Sequence, residues 1–258
     1  MRLALGLEYD GAAFRGWQTQ TGGNTLQDVL EAALTQVAAH RVGTVCAGRT
    51  DAGVHATAQV VHFDTSAQRP LGAWVRGVNA HLPTAMAVRW ASAVPDDFHA
   101  RFSARRRTYE YWLLVDAVRP ALLARRVGWV FRPLDIAAMQ AAACLLEGTH
   151  DFSAFRAAEC QAASPVRTLE TCRVEQRGRL IRFEVRANAF LHHMVRNLVG
   201  SLVHVGLRRR APAWIADVLA ARDRSLAAPT FSAAGLYLSA VEYDAALALP
   251  PGGATPFE

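Results

Sequence analysis

The sequence predicts an α+β protein built from two similar subdomains, each with a mixed or antiparallel sheet backed by helices. Three observations favour this class: strands alternate with amphipathic helices in both halves, a hairpin interrupts the second half, and an arginine-dense stretch separates the halves. We place the first subdomain over residues 1–104 and the second over 105–248. A Pro- and Gly-rich segment over 249–258 predicts a flexible tail.

The first strand and the first helix follow from local patterns. Residues 2–9 alternate apolar and other residues, as a strand does. Asn24 or Thr25 caps the helix, because Thr25 and Asp28 have the spacing of a capping box. An apolar stripe at helical spacing predicts the helix itself, formed by Leu26, Val29, Leu30, Ala33, Leu34 and Val37.

The remaining elements follow from the same two periodicities. Strands are predicted over 59–63, 86–94, 108–115, 168–176, 179–187 and 235–243. Helices are predicted over 71–78, 135–146 and 190–206, and over a shorter stretch to 221 in which Pro212 is the first helical residue.

Composition places the chain among folded globular proteins. Its 258 residues are 52% hydrophobic, enough for the cores of two ordinary domains. No apolar run approaches the roughly 20 residues that cross a bilayer. The first strand runs into Glu8 and Asp10 instead of a signal-peptide cleavage site. We therefore expect a cytoplasmic protein with no membrane partner.

The charged residues favour an acidic partner. The formal net charge is +6, and all 28 basic residues are arginines. Guanidinium groups bind phosphate bidentately and stack on bases. The lack of lysine excludes Schiff-base chemistry and a P-loop lysine. Two neighbouring sheets would leave a central basic cleft, wide enough for a nucleic-acid strand.

Cysteine and histidine spacing argues against a metal site. The four cysteines stand far apart without a CxxC pair, which is typical of buried thiols rather than of a zinc or disulfide framework. His192 and His193 are adjacent and would point about 100° apart on a helix. They are therefore poorly placed to share one ion, and we predict no metal.

Five motifs of polar and aromatic residues interrupt the regular patterns. They are YDGAAFRGWQ (9–18), AGRTDAGVHA (47–56), FHARFSARRRTYEY (98–111), NAFLHHMVRNLVGSL (188–202) and GLYL (235–238). Alone, the second motif indicates a tight turn, because Asp bonds its own backbone and Gly tolerates positive φ. Taken in order, the five resemble the TruA family of tRNA pseudouridine synthases over nearly the whole chain.

The resemblance implies the pseudouridine synthase fold and a specific activity. Members of such a family isomerise uridine to pseudouridine at positions 38, 39 and 40 in the anticodon stem-loop of tRNA. The N1–C1′ bond breaks, the uracil turns, and C5 is joined to C1′. This change is redox-neutral, so no cofactor is expected. The resemblance also implies a homodimer whose two chains grip the tRNA together.

Positions within the motifs imply the roles of single residues. Asp51 matches the catalytic aspartate, and Arg196 matches an arginine that can pair with it. Tyr109 matches the tyrosine that packs against the target base, Arg49 matches the arginine just before the catalytic turn, and Leu236 is a further substrate-binding candidate in the fifth motif. Burial disfavours a carboxylate's charge and a guanidinium favours it, so a buried aspartate here needs a cationic neighbour. Attack at uracil C6, attack at C1′ and elimination to a glycal all stay open.

Each of these residues also has a structural alternative. Arg49 would form a local ion pair with Asp51, Tyr109 would be half-buried core, and Arg196 would extend to water. Two arginine runs are candidates for phosphate contacts or, alternatively, solvated basic faces. They are Arg101, Arg105, Arg106 and Arg107, and Arg208, Arg209 and Arg210.

Two other functions fit part of the sequence. A glycosidase that releases the base would also use an aspartate, but it usually has a second carboxylate across the bond. A non-catalytic RNA-binding module would explain the arginines, yet it would leave Asp51 as a repulsive group among phosphates. Free uracil released from tRNA would indicate the glycosidase, and an Asp51→Asn variant that loses nothing would indicate the binding module.

Overall fold

The computed structural model describes residues 1–257 and separates into two compact units. The first unit consists of Met1–Arg107 and the segment that begins at Tyr237, and the second is Thr108–Leu236. The end of the first stretch lies close to the predicted residue 104. From Tyr237 onward, however, the last strand belongs to the first unit, in which it pairs with a strand distant in sequence.

Within residues 1–257, ten strands and five helices confirm the predicted α+β class. The strands are β1 (Arg2–Tyr9), β2 (Val45–Cys46), β3 (His55–Asp64), β4 (Met86–Val94), β5 (Arg106–Val115), β6 (Gly128–Val130), β7 (Gly148–Asp151), β8 (Val166–Arg177), β9 (Leu180–Ala187) and β10 (Leu236–Glu242). The helices are α1 (Leu26–Ala38), α2 (Leu71–His81), α3 (Ile136–Cys144), α4 (Met194–Gly206) and α5 (Trp214–Ala221). None of these helices is both long and apolar enough to cross a membrane.

The sheet of the first unit is mixed and has the order β4-β1-β3-β10. β1 runs antiparallel to β3 and β4, with Leu5 opposite Val61 and Ala91. β10 joins β3 in parallel, and the short β2 pairs with the other end of β3. Helix α2 packs on this sheet through Trp74, whose ring meets Phe63 edge-on at 5.2 Å between centroids.

β1 is buried on both faces, although its sequence alternates. Leu3, Leu5 and Leu7 are at most 1% exposed, and the intervening Ala4 is fully buried as well. Ala4 belongs to a buried apolar cluster with Ala47, Val60, Val94, Phe98 and Ala100. This cluster joins the second and third motifs, because Ala47 opens one and Phe98 opens the other.

The sheet of the second unit has the order β5-β9-β8-β7, with β6 parallel to β5. β8 and β9 form the predicted hairpin, in which Arg177 lies opposite Leu180. Gly178 in its turn has a φ of +57°, a conformation that favours glycine. Helices α3 and α4 pack together, and α3 also contacts β8.

The start of α1 is confirmed as a capping box. Thr25 has extended backbone, and its hydroxyl accepts from the Asp28 amide at 3.2 Å and donates to the Asp28 carboxylate at 2.6 Å. A hydrogen bond from the Thr19 hydroxyl and this one from Thr25 hold the pKa of Asp28 below its usual value. The capping box predicted from the sequence is therefore present with an ionised Asp28 side chain.

Two predicted helix starts were wrong. The helix predicted from residue 190 begins at Met194, because His193 adopts a left-handed φ of +61° that no α-helix continues through. Pro212 was predicted as the first helical residue of α5, which begins at Trp214 after a turn in which the Trp214 amide bonds the Ala211 carbonyl.

The tail predicted as flexible contacts β3 and β10 over residues 250–257, and residue 258 lies outside the described residues. The Gly253 amide donates to the Thr57 carbonyl at 3.2 Å, and Thr255 is 4% exposed. The ring of Phe257 meets Tyr237 edge-on at 6.0 Å. Proline and glycine content alone does not reveal such long-range contacts.

Candidate active site

Asp51 lies in a β-turn between β2 and β3. The Val54 amide donates to the Asp51 carbonyl at 3.1 Å, and Gly53 at the third position has a φ of +78°, where a side chain would be strained. The Asp51 side chain is half-buried, while Arg49 and Ala52 are exposed. The turn predicted from Asp and Gly is thus present, and it fixes where the carboxylate stands.

The first motif holds this turn by its backbone. The Trp17 amide donates to the Thr50 carbonyl at 2.9 Å, and the Tyr9 hydroxyl lies 2.9 Å from the Thr50 hydroxyl. A Cβ at Gly11 would stand 1.9 Å from the Val54 carbonyl oxygen, so glycine is required at this approach. The residues on both sides of the carboxylate are therefore held by a segment distant in sequence.

Gln59 supports the same loop from β3. Its side chain is fully buried, and its Nε2 donates to the Gly48 carbonyl at 2.7 Å and to the Tyr9 hydroxyl at 3.3 Å. A buried amide satisfied in this way adds rigidity without an unpaired polar group. Sequence reasoning missed Gln59, although a polar residue within a buried strand was a usable signal.

His55 joins three motifs in the first unit. It is 2% exposed, its Nδ1 accepts from the Gly11 amide at 3.2 Å, and the same atom lies 3.1 Å from the Asp10 carboxylate. Its ring stacks on Tyr237 of the fifth motif at 4.6 Å. His55 is thus a buried residue with polar and aromatic neighbours, and it ties β10 to the loop that carries Asp51.

Arg49 is not the local ion-pair partner of Asp51. Its side chain is exposed, and among residues 1–257 no ion pair joins it to that carboxylate. Burial raises the pKa of the Cys46 thiol to about 12, and the charges of Arg49 and Arg101 both oppose that rise. The positive charges of Arg49 and Arg101 therefore both reach the Cys46 side chain.

Arg107 differs from the phosphate contact that the sequence predicted. It is 8% exposed, and Nη2 donates to the carbonyls of Ala47 at 2.9 Å and Arg101 at 2.6 Å. Nη1 donates to the Ala104 carbonyl at 3.2 Å. Arg107 consequently ties the third motif to the start of the second, and its charge is directed at protein carbonyls.

The other three arginines of the third motif reach the surface. Arg105 pairs with Asp244, and Arg106 lies 3.6 Å from the Glu242 carboxylate. Arg101 is exposed, with its guanidinium carbon 5.4 Å from the centroid of the Phe102 ring. Of the described carboxylates, none forms an ion pair with Arg101, so its charge is the least neutralised of the three.

Tyr109 and Leu236 are buried in the second unit. Tyr109 is 8% exposed, and its ring meets Phe190 edge-on at 5.0 Å. Leu236 is 5% exposed and opens β10 directly after Gly235, which approaches the Trp112 carbonyl closely. Burial fixes the orientation of the Tyr109 ring.

Arg196 is half-buried on the first turn of α4. Its Nε donates to the Phe231 carbonyl at 2.9 Å, and the Phe231 amide returns a bond to the Arg196 carbonyl at 3.2 Å. The guanidinium is therefore anchored and does not simply extend to water. Arg196 and Asp51 lie in different units, and their pairing stays a prediction.

Asn197, beside Arg196, was missed by sequence reasoning. It is fully buried, its Nδ2 donates to the Phe155 carbonyl at 2.7 Å, and its Oδ1 accepts from Thr230 at 2.7 Å and Arg224 at 3.2 Å. This network fixes the segment whose carbonyl holds Arg196. A polar side-chain amide within an apolar helical stripe was the sequence feature that could have indicated a buried hydrogen-bond network.

The second arginine run is exposed and follows α4. Arg208 has a φ of +55° and its Nη2 lies 3.1 Å from the Asp135 carboxylate. The amide of Ala138 and this guanidinium hold the pKa of Asp135 below its usual value. Arg210 lies over the Trp214 ring at 5.5 Å. All three side chains of the run are accessible to a ligand.

Comparison with known proteins gives one consistent result. A sequence profile described as tRNA pseudouridine synthase matches residues 7–103 and 142–244. Three curated relatives carry the name tRNA pseudouridine synthase A. The protein of Aromatoleum aromaticum is 61% identical over 98% of this chain and 96% of its own length. The protein of Bordetella petrii is 60% identical over 94% of this chain and 91% of its own length. The protein of Herminiimonas arsenicoxydans is 58% identical over 96% of this chain and 92% of its own length.

Proposed function

Because the chain belongs to the tRNA pseudouridine synthase family, whose members are isomerases, we propose that it modifies uridines 38, 39 and 40 of the tRNA anticodon stem-loop. The reaction breaks the N1–C1′ bond and forms a C5–C1′ bond. The proton on C5 is lost, and N1 gains one, so the base is isomerised without oxidation. The substrate and the absence of a membrane-crossing helix within residues 1–257 support a cytoplasmic location.

Asp51 is the proposed catalytic carboxylate. The observation that carries this role is the turn itself, fixed by the Trp17 amide before Asp51 and by the close approach of Gly11 after it. Catalytic groups act best when the surrounding structure holds them in one geometry before the substrate binds. Nucleophilic attack and elimination to a glycal both begin from this carboxylate.

Arg196 is the proposed cationic partner of the carboxylate. Its Nε bond to the Phe231 carbonyl restricts the plane of the guanidinium. A fixed guanidinium that meets a carboxylate also directs it. Arg196→Ala is therefore expected to lower turnover far more than tRNA affinity, and Arg196→Lys is expected to restore little of it.

Tyr109 is the proposed stacking partner of the extruded uracil. Extrusion costs a few kcal/mol, and a base on an aromatic ring recovers roughly 1–3 kcal/mol. The hydroxyl is also the proposed acceptor of the C5 proton. Tyr109→Phe keeps the ring and is expected to bind tRNA while slowing the final step, whereas full activity in that variant would eliminate the proton-transfer role.

The exposed arginines are the proposed phosphate contacts. Arg49, Arg101, Arg209 and Arg210 have no carboxylate partner among the described residues, and three others are partly neutralised: Arg105, Arg106 and Arg208. Arg107 is left out because its donors bond main-chain carbonyls. A homodimer that grips one tRNA is part of this proposal, and a monomer in sedimentation at working concentration would refute that part.

Nucleoside analysis tests the proposed function. Unmodified tRNA carrying uridine at 38, 39 and 40 is treated with the protein, and each position is assigned by sequencing. Pseudouridine at these positions with unchanged RNA mass is expected. Release of free uracil would indicate a glycosidase, and unmodified tRNA that stays bound would indicate a binding module.

A further inference from the structure

Phe102, in the third motif, is exposed to an extent unusual for its size. It is 75% exposed, while Phe98 of the same motif is 2% exposed. None of the roles above uses Phe102. A single exposed apolar side chain is common on protein surfaces, so the case for a partner depends on the loop and on the charge around this ring.

The loop that carries Phe102 is closed by its own hydrogen bonds. The amides of Arg101 and Phe102 both donate to His99 Nδ1 at 3.2 Å. The His99 amide donates to the Ser103 hydroxyl at 2.9 Å, and the Ser103 amide donates to the His99 carbonyl at 2.8 Å. The His99 ring also packs against Phe102, at 4.3 Å between centroids. The exposed ring thus stands on a rigid support.

The same loop is anchored to the first unit by three side chains. The Ala100 amide donates to His62 Nδ1 at 3.1 Å, and the Tyr243 hydroxyl donates to the Ala100 carbonyl at 2.7 Å. The buried Arg107 donates to the Arg101 carbonyl at 2.6 Å. A ring presented by an anchored loop loses little conformational freedom when a partner binds.

Arg101 supplies positive charge beside this ring. Its guanidinium lies 5.4 Å from the Phe102 centroid. Arg107 links the Arg101 carbonyl to the Ala47 carbonyl, so the loop is tied to the motif that carries Arg49 and Asp51. An aromatic ring with an unneutralised guanidinium beside it matches a base with its phosphate.

We propose that Phe102 stacks on an unpaired base of the tRNA and that Arg101 binds an adjacent phosphate, which makes the loop 99–103 a second contact for the substrate. This inference rests on the proposed function, since it assigns part of the same substrate. A second copy of this chain fits less well, because it would bring an identical positive patch to the contact.

The test is tRNA affinity in matched variants. Phe131 offers the control, since it is 58% exposed with Arg132 at 5.2 Å from its ring, outside the five motifs. Binding of unmodified tRNA is measured for the wild type, Phe102→Ala, Phe102→Leu, Phe102→Trp and Phe131→Ala. We expect Phe102→Ala to bind about 5- to 100-fold more weakly. Phe102→Leu should lie near Phe102→Ala, and Phe102→Trp and Phe131→Ala near the wild type.

Several outcomes would overturn the contact. One is equal affinity for the Phe102→Ala and Phe131→Ala variants, and another is full affinity in Phe102→Leu, which lacks a ring. A change of sedimentation in the Phe102 variants would assign the ring to a protein interface instead. These results are distinct from failure of the proposed function, which would show as absence of pseudouridine with the wild type. If the Phe102→Ala variant unfolds, the affinity of Phe102→Leu, which also lacks a ring, replaces it in the comparison.

Discussion

Both units contain three consecutive arginines, Arg105–Arg107 in the first and Arg208–Arg210 in the second. The first run enters β5, where successive side chains point to opposite faces, so Arg107 is turned into the unit. The second follows the end of α4, where no sheet covers it and all three side chains are exposed. Arg107 consequently bonds main-chain carbonyls, whereas Arg209 and Arg210 face solvent.

This difference shows how a positive run should be assessed. A guanidinium that already bonds three carbonyls adds rigidity to the protein, and its charge is not offered to a ligand. An exposed guanidinium without a carboxylate partner contributes to the electrostatic attraction of RNA. The local backbone, more than the number of arginines, decides which of the two roles each residue has.

Replacing Arg107 should have the largest effect on stability. Arg107→Ala would leave the buried carbonyl of Ala47 and the partly buried carbonyls of Ala104 and Arg101 without this donor, and we expect the free energy of unfolding to fall by about 3 kcal/mol. Arg209→Ala, at an exposed site, should change it by less than about 0.5 kcal/mol. Urea unfolding measures both variants. Equal stability of the two would remove the distinction between the runs.

One histidine in each unit gives a pH-dependent comparison. Burial, with Arg2 and His99, lowers the pKa of His62 from 6.5 to about 4, and burial with Arg209 and Arg210 lowers that of His204. The unfolded chain then binds protons that the folded chain does not. The contribution of these histidines to stability is therefore fully present above pH 6.5 and is lost as the pH falls toward 4. His62→Gln should flatten this fall more than His204→Gln. Unfolding measured from pH 7 to 4 tests the order, and unchanged slopes in both variants would contradict it.

The salt dependence of tRNA affinity distinguishes arginines that bind phosphate from arginines that are already neutralised. Arg101→Ala should weaken tRNA binding uniformly across tRNA sequences and reduce the slope of log affinity against log salt by about 1. Arg209→Ala should behave similarly. Arg105→Ala should have a smaller effect, because Asp244 already neutralises much of that charge. Identical slopes for the wild type and Arg101→Ala would show that Arg101 binds no phosphate.

A further small effect on stability is expected at Arg208. Its ion pair with Asp135 is exposed and worth about 0–1 kcal/mol. Arg208→Ala and Arg208→Gly both remove this pair, but only glycine relieves the φ of +55°. The glycine variant should therefore be more stable than the alanine variant by about 1 kcal/mol. Thermal unfolding ranks the two, and the reverse order would exclude backbone strain at this position.

Local features of the fold were predictable from the sequence, because short-range interactions determine them. The capping box at Thr25 and the hairpin at Gly178 needed only neighbouring residues. The membership of β10 in the first unit was not predictable, since pairing of Tyr237 with His55 joins residues far apart in the chain. The left-handed His193, which delays α4, was hidden by an uninterrupted apolar stripe.

The candidate site was predictable in its residue types and less so in its supports. The turn at Asp51 followed from the Asp and Gly pattern, whereas the roles of Asp51, Tyr109 and Arg196 came from the resemblance and stay predictions. Gln59 and Asn197 were missed, because a buried polar side chain shows its purpose only through its hydrogen-bond partners. Arg107 was assigned to phosphate for the same reason, since the sequence does not show which carbonyls surround it.

The most direct test compares the wild type with Asp51→Asn, which keeps the shape of the side chain and removes its charge. Pseudouridine formation in a single turnover and affinity for unmodified tRNA are measured on the same preparations. We predict that the variant binds tRNA about as tightly as the wild type and forms no pseudouridine. Pseudouridine formed at the wild-type rate would contradict it.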